Sequence, residues 1–134
     1  MATIFTKIIN REIPGYIVAE DENNIAILDI NPLVQGHTLV IPKKEIDYYF
    51  DLSEQEYESL NSFTKKLAEA IKSVIPCLRI GVAVVGLEVP HTHIHLIPLN
   101  SMGDINFNRP KLKLTNEEFG DICEQISSAF LALN

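Results

Sequence analysis

The sequence predicts an α+β fold, in which a five-stranded antiparallel sheet packs against a long central helix and a C-terminal helix. Three observations support this prediction. Short apolar, β-branched segments alternate with turn residues, as strands do. Two longer segments repeat apolar residues every three or four positions, as amphipathic helices do. The connections are short and no strand–helix–strand pattern recurs, which favours an antiparallel sheet with its helices on one face.

Five segments have the composition of strands. The polar turn 21–23 joins the first two as a hairpin, and Pro42, Gly86 and Pro90 stand where later strands end or begin. A short helical turn is expected at residues 5–9, before the first strand. The predicted strands cover residues 16–20, 24–29, 37–41, 79–85 and 91–99.

Both predicted helices begin at capping boxes. Ser53 with Glu56 predicts the start of the central helix, which ends before Pro76, and Thr115 with Glu118 predicts the start of the C-terminal helix. Each helix carries one apolar stripe that can face a core. The stripes are Tyr57, Leu60, Phe63, Leu67, Ile71 and Val74 in the first helix and Ile122, Ile126, Phe130 and Leu133 in the second.

Composition and charge exclude several classes of protein. Apolar residues make up 46% of the chain and charged residues 22%, as in ordinary globular proteins. The formal net charge of −7 argues against binding a nucleic acid polymer, although a local group of donors can still bind a small anion. No linker, repeat, export signal or membrane-spanning run is present, so we expect one cytoplasmic domain over residues 1–134 that does not bind membranes. Cys77 and Cys123 lack the spacing of a zinc site and are expected to be buried thiols.

Three of the four histidines lie in one short segment, at His91, His93 and His95. Alternate residues of a strand share a face, so this spacing predicts three imidazoles on one side of the sheet, about 7 Å apart. Covalent catalysis explains such a row, because one neutral imidazole can attack phosphorus while its neighbours orient it and bind the leaving group. A zinc site formed by the three rings, and structural histidines hydrogen-bonded in a core, are the alternatives.

The segment 91–98 resembles the His-x-His-x-His-x-x signature of the histidine triad (HIT) superfamily. The similarity extends to the blocks 5–14, 28–32 and 37–44, which match the order and spacing of the family's nucleotide-binding, Hint-like branch over about residues 3 to 98. The resemblance implies a HIT-like fold without a metal or other cofactor. It also implies a nucleotidyl hydrolase or transferase. The altered loop at residues 86–90, described below, suggests the alternative of a nucleotide-binding module with little catalysis.

The resemblance implies a role for each histidine. His93 is the expected nucleophile toward the α-phosphate of a purine nucleotide, as in nucleoside phosphoramidates or dinucleoside polyphosphates. His91 is expected to orient His93, partly through its backbone carbonyl, and His95 to face the phosphate and assist the leaving group. His37 is expected to support the group by hydrogen bonding.

The resemblance also implies a nucleotide-binding wall and a homodimer. Asp29 is expected to bind the ribose hydroxyls, although a carboxylate before Asn-Pro can equally cap a turn. Apolar side chains are expected around the base, and their alternative role is ordinary core packing. They are Ile4, Phe5, Ile8 and Ile27.

One segment departs from the family pattern. Members typically have a polar Gly-Gln-Ser/Thr element before the histidines, whereas this chain has Gly86-Leu87-Glu88-Val89-Pro90. Either the backbone N–H groups around Gly86 replace the missing phosphate donors, or Glu88 recognises a cationic or amino leaving group, as on a phosphoramidate. The sequence leaves both possibilities open.

Overall fold

The structure is a computed structural model that describes residues 2–133. Its elements are α1 (Ile4–Ile9), β1 (Ile17–Glu20), β2 (Asn24–Leu28), β3 (Thr38–Pro42), α2 (Glu54–Val74), β4 (Arg79–Ala83), β5 (Ile94–Leu99) and α3 (Asn116–Ala132). Two short 3₁₀ turns cover Tyr49–Asp51 and Met102–Ile105. The strands form a five-stranded antiparallel sheet in the order β1-β2-β3-β5-β4. The predicted α+β fold is confirmed.

Both long helices begin where the sequence predicts. Ser53 accepts a hydrogen bond from the N–H of Glu56, whose carboxylate accepts from the N–H of Ser53, so the capping box is complete. Thr115 and Glu118 form the same arrangement at the start of α3. Most stripe residues are buried, but Tyr57 and Leu133 are exposed because they lie at the helix ends, beyond the sheet that the stripes cover.

The pleat of the sheet separates two apolar clusters. Ala26, Leu28 and Val40 pack against α2 and α3 in the larger cluster. The alternate residues Ile25, Ile27, Leu39 and Ile41 pack on the opposite face, against Phe5 and Ile8 of α1. The central strands β2 and β3 are therefore buried on both faces, and the short helix α1 leaves most of its face of the sheet for a cavity.

Three expectations need correction. The last strand begins at Ile94 rather than at residue 91, because the N–H of Thr92 donates to the carbonyl of Ile46 and leaves the ladder. The preceding strand ends at Ala83, two residues earlier than predicted. Cys77 and Cys123 are free thiols but only half-buried, since one follows the end of α2 and the other lies on the flank of α3. In residues 2–133 we find no helix long and apolar enough to cross a membrane.

Candidate active site

A cavity of about 530 Å³ lies on the sheet face that carries α1. Its volume is in the range of small-molecule sites. Ten of the eleven residues singled out in the sequence line it. These ten are Ile4, Phe5, Ile8, Ile27, Asp29, His37, Gly86, Glu88, His93 and His95.

His93 has one ring nitrogen committed and the other free. Its Nδ1 lies 2.8 Å from the backbone carbonyl oxygen of His91, and a carbonyl can only accept, so Nδ1 carries the proton. In the neutral ring the lone pair is therefore on Nε2. Phe5 packs edge-on against the ring, with centroids 4.9 Å apart, and limits its rotation. In its neutral form the ring therefore has the Nε2 lone pair available in a fixed orientation.

His37 and His95 form a hydrogen-bonded chain that starts at a backbone amide. The N–H of Leu33 donates to His37 Nδ1 over 3.1 Å, so neutral His37 carries its proton on Nε2. That Nε2–H lies 2.9 Å from His95 Nδ1 and donates to it. His95 therefore keeps its own proton on Nε2. One backbone N–H thus sets the tautomers of two successive rings.

Burial keeps these two rings neutral. It lowers the pKa of His37 to about 3, with a smaller contribution from the charge of His95. Burial likewise lowers the pKa of His95 to about 4, and the nearby His93 adds to this effect. At neutral pH both rings act as hydrogen-bonding groups without charge.

The ring of His91 does not line the cavity, unlike the rings of His93 and His95. Its Nε2 donates to the carbonyl oxygen of Pro42 over 2.8 Å, and its Nδ1 accepts from the hydroxyl of Thr3 over 3.0 Å. The ring is fully buried and does not line the cavity. Residues 91–93 lie outside the regular strand, so the three imidazoles do not form the evenly spaced row that strand geometry predicts: the ring centroids of His93 and His95 are 5.0 Å apart rather than about 7 Å. Only the backbone carbonyl of His91 reaches toward His93.

Thr3 links His91 to the start of α1. Its hydroxyl accepts from the N–H of Thr6 as the helix N-cap, and its own N–H donates to the Glu45 carboxylate over 3.1 Å. The Thr6 hydroxyl donates to the same carboxylate and holds the pKa of Glu45 below its usual value. The helix that carries Ile4, Phe5 and Ile8 is thereby attached to the histidine segment.

Asp29 follows the end of β2 and performs the turn-capping role that the sequence allowed. Its Oδ1 accepts from the N–H of Asn31 over 2.9 Å. Its Oδ2 lies 3.6 Å from His37 Nε2 and remains available toward the cavity. Burial raises the pKa of this carboxyl. Capping a turn and binding a hydroxyl are therefore compatible here.

The structure separates the proposed zinc ligands His91, His93 and His95 but brings another set together. The ligand atoms of Asp29, His37 and His95 lie within 4.8 Å of one another. To bind a metal through Nε2, neutral His37 would carry its proton on Nδ1, facing the N–H of Leu33. The N–H of Leu33 and the Nδ1–H of His37 would then point at each other with no acceptor between them. The hydrogen bonding therefore suits His37 as a donor to His95 better than as a metal ligand.

The loop before the histidines is open. Gly86 has a φ of +72°, in the left-handed region that favours glycine, and Leu87 is 87% exposed. Glu88 lines the cavity, and its charge contributes to raising the pKa of Asp29. Lys43 and Lys44 lie outside the cavity and form ion pairs with Glu20 and Glu56.

Phe107 and Lys111 are among the lining residues that the sequence did not single out. Phe107 packs edge-on against His95, with centroids 4.9 Å apart, and Lys111 stands beside it at the cavity wall. Both lie in the irregular segment between β5 and α3. The cluster of basic and aromatic residues at 107–113 was the only sequence signal that could have indicated them.

Comparisons with known proteins agree with this geometry. The model of the HIT domain family matches residues 10–102. An uncharacterised HIT-like protein of Borreliella burgdorferi is 39% identical over 132 residues, 92% of this chain and 95% of that one. The adenosine 5'-monophosphoramidase hnt1 of Schizosaccharomyces pombe is 32% identical over 96% of this chain and 98% of its own.

A solved structure has the same fold. It is a hypothetical histidine triad nucleotide-binding protein of Sulfolobus tokodaii, 31% identical, with a TM-score of 0.82 over 96% of this chain and 92% of that one. The family match covers well over half of the chain and includes all four histidines. This chain therefore belongs to the HIT family of histidine triad proteins.

Proposed function

We propose that this protein is a hydrolase or nucleotidyl transferase that attacks the α-phosphate of a purine nucleotide. The substrate class is the nucleoside phosphoramidates, dinucleoside polyphosphates and related nucleotides. The observation that carries the proposal is the state of His93: its Nδ1 is held by the His91 carbonyl, and its ring lines the cavity. The sequence relationship to an adenosine 5'-monophosphoramidase supports the phosphoramidate class.

In the proposed reaction, the lone pair on His93 Nε2 forms a bond to phosphorus. The bond from phosphorus to the leaving nitrogen or oxygen breaks, and its electron pair departs with the leaving group. His95 Nε2–H donates a hydrogen bond to the leaving atom or to a phosphate oxygen. Water then attacks the phosphorus and loses a proton to solvent, while the bond from phosphorus to Nε2 breaks and its electron pair returns to the ring, which is again neutral with its proton on Nδ1. No metal or other cofactor is required.

The walls of the cavity suit the rest of a nucleotide. The apolar surface for the base consists of Ile4, Phe5, Ile8 and Ile27, of which all but Ile4 also belong to the smaller core cluster. We place the ribose at Asp29, whose Oδ2 can accept from its hydroxyls. We place the phosphate between His93, His95 and the loop at Gly86 and Glu88.

A substrate panel tests the proposal. Adenosine and guanosine phosphoramidates, dinucleoside polyphosphates and nucleotide sugars are assayed side by side with the wild type and with His93→Ala. We expect turnover of at least one class by the wild type and none by the variant. Acid-labile radiolabel from the substrate should attach to the wild type alone. Undiminished turnover by a folded His93→Ala protein would remove His93 from the mechanism.

A nucleotide-binding module with little catalysis is the second candidate. The open loop with Leu87 and Glu88 favours it, because this loop lacks the polar side chains of typical members. Tight nucleotide binding with turnover no faster than background would support this candidate over the first. A third candidate, a zinc hydrolase, predicts stoichiometric zinc in the purified protein and loss of activity in chelator.

We also propose a homodimer formed through β4 and the central helix. β4 is an edge strand of the sheet, and apolar side chains on and after it are exposed, among them Val82 at 61%. Light scattering after size-exclusion chromatography should give twice the mass of the chain, and Val82→Lys should shift it toward the monomer. A monomeric wild type at micromolar concentration would refute the dimer. A cytoplasmic location and one domain over residues 1–134 stay predictions.

A further inference from the structure

The proposed chemistry brings a phosphate anion into a cavity with little positive charge. The loop at Gly86 contributes no cation and places the carboxylate of Glu88 at the cavity wall. Asp29 adds a second carboxylate. His37 and His95 are neutral, because burial lowers the pKa of both far below neutral pH. A neutral His93 is required for attack on phosphorus.

Lys111 provides the missing charge. Among the described side chains that line the cavity, it is the one with a positive charge. Its charge partly offsets the rise that burial causes in the pKa of Asp29, and it adds to the lowering of the pKa of His37 by burial. Its Nζ donates to the carbonyl oxygens of Phe107 at 2.6 Å and Arg109 at 3.2 Å. These partners are uncharged, and one of the three ammonium protons remains for a further acceptor.

The segment that carries Lys111 is attached to the rest of the protein on both sides. Phe107 packs against His95, with centroids 4.9 Å apart, and the N–H of Leu112 donates to the carbonyl of Pro32 over 2.9 Å. Between them, Arg109 forms an ion pair with Asp104 at 3.2 Å. Lys111 is an exposed residue, and its ammonium is held at the cavity wall by hydrogen bonds to its own loop.

From this geometry we infer that Lys111 is a phosphate-binding residue, whose ammonium group pairs with a non-bridging oxygen of the nucleotide phosphate. It replaces the donors that the loop at residues 86–88 lacks, from the segment between β5 and α3. The inference rests on the proposed nucleotide substrate and adds a specific contact to it. Charge-assisted hydrogen bonds of this kind contribute about ten- to a hundredfold in affinity.

Calorimetric titration with AMP and with adenosine tests the inference, because the two ligands differ by the phosphate. Lys111→Met should weaken AMP binding at least about tenfold and leave adenosine binding unchanged. Lys111→Arg, which keeps the charge, should restore most of the AMP affinity. Lys113→Met is the matched control, since Lys113 is an exposed lysine two residues away that does not line the cavity; it should bind both ligands as the wild type does.

The possible outcomes separate this inference from the proposed function. Unchanged AMP binding by Lys111→Met would overturn the inference alone, and so would an equal loss of AMP and adenosine binding, which indicates a packing role. If the wild type binds neither ligand, the proposed function fails and the inference fails with it. As a second readout, added salt should weaken AMP binding by the wild type more than by Lys111→Met.

Discussion

His37 Nε2 lies 2.9 Å from His95 Nδ1, and the same His37 ring accepts the N–H of Leu33 through its Nδ1. His37, which lies 58 positions before His95 in the sequence, therefore sets the tautomer of His95. Each hydrogen bond in the chain can be removed separately by substitution. The effect of these two hydrogen bonds on activity can therefore be tested directly.

Two substitutions at His37 should separate its two hydrogen bonds. Asparagine can keep the acceptor for the Leu33 N–H, whereas glutamine can keep a donor toward His95. We expect His37→Asn to retain more stability and His37→Gln to retain more activity, because an unpaired buried group costs ~1–3 kcal/mol. Urea unfolding and kcat/KM measure the two effects. Equal losses in both variants would contradict separate roles for the two nitrogens.

The buried histidines should make stability depend on pH. Their ordinary pKa of 6.5 is lowered to about 4 in His95 and about 3 in His37, so the unfolded chain binds more protons below pH 6.5. Stability should fall as the pH decreases from 6.5 toward 4, by up to ~1.4 kcal/mol per pH unit for each ring. Urea unfolding between pH 7 and 4.5 measures this. His95→Gln should show a shallower slope, and an identical slope would exclude His95 as a source.

Glu88 should determine which leaving group is preferred. Its carboxylate lines the cavity and can attract a cationic or amino leaving group. Glu88→Gln should therefore lower kcat/KM for a phosphoramidate several-fold while sparing or improving turnover of a dinucleoside polyphosphate, whose leaving group is anionic. A change of equal size for both substrates, or unchanged phosphoramidate turnover, would end this hypothesis.

The Thr3 hydroxyl should matter both for helix α1 and for His91. It is the N-cap of the helix and the donor to His91 Nδ1. Thr3→Val keeps the shape but removes both hydrogen bonds, so we expect a loss of ~1–2 kcal/mol in the free energy of unfolding and a lower kcat. Thr3→Ser retains the hydroxyl and should behave as the wild type does. A stable, fully active valine variant would contradict the link.

Two glycines with positive φ should respond differently to alanine. Gly36, just before His37, has a φ of +88°, and an added Cβ would lie 3.0 Å from Ile75 Cγ1 and 3.2 Å from Pro98 Cγ. Gly86 has a φ of +72° with no atom within 4 Å of the added carbon. Thermal unfolding should therefore show a larger loss for Gly36→Ala than for Gly86→Ala, which should lose only ~1 kcal/mol. Equal losses would mean that backbone strain alone determines the loss of stability and that the contacts of the added Cβ at Gly36 contribute nothing.

Local patterns were sufficient for most of the fold. The capping boxes at Ser53 and Thr115 are interactions over three residues, so they are visible in the sequence and are confirmed in the structure. The strands were predicted within a few residues for the same reason. The evenly spaced row of three histidines did not form, because residues 91–93 leave the strand where the N–H of Thr92 pairs with Ile46, a residue 46 positions away.

The sequence by itself determined the fold class, the family and ten of the residues that line the cavity, because strand periodicity, helix caps and the histidine spacing are local properties of the chain. Only the tertiary structure decided which way each imidazole points and which nitrogen of each carries its proton. Those properties depend on Pro42 and Thr3, which contact His91 from 49 and 88 positions away, and on the approach of His37 to His95 over 58 positions. Lys111 likewise reaches the cavity only because its loop folds back over His95, through contacts that no local pattern records.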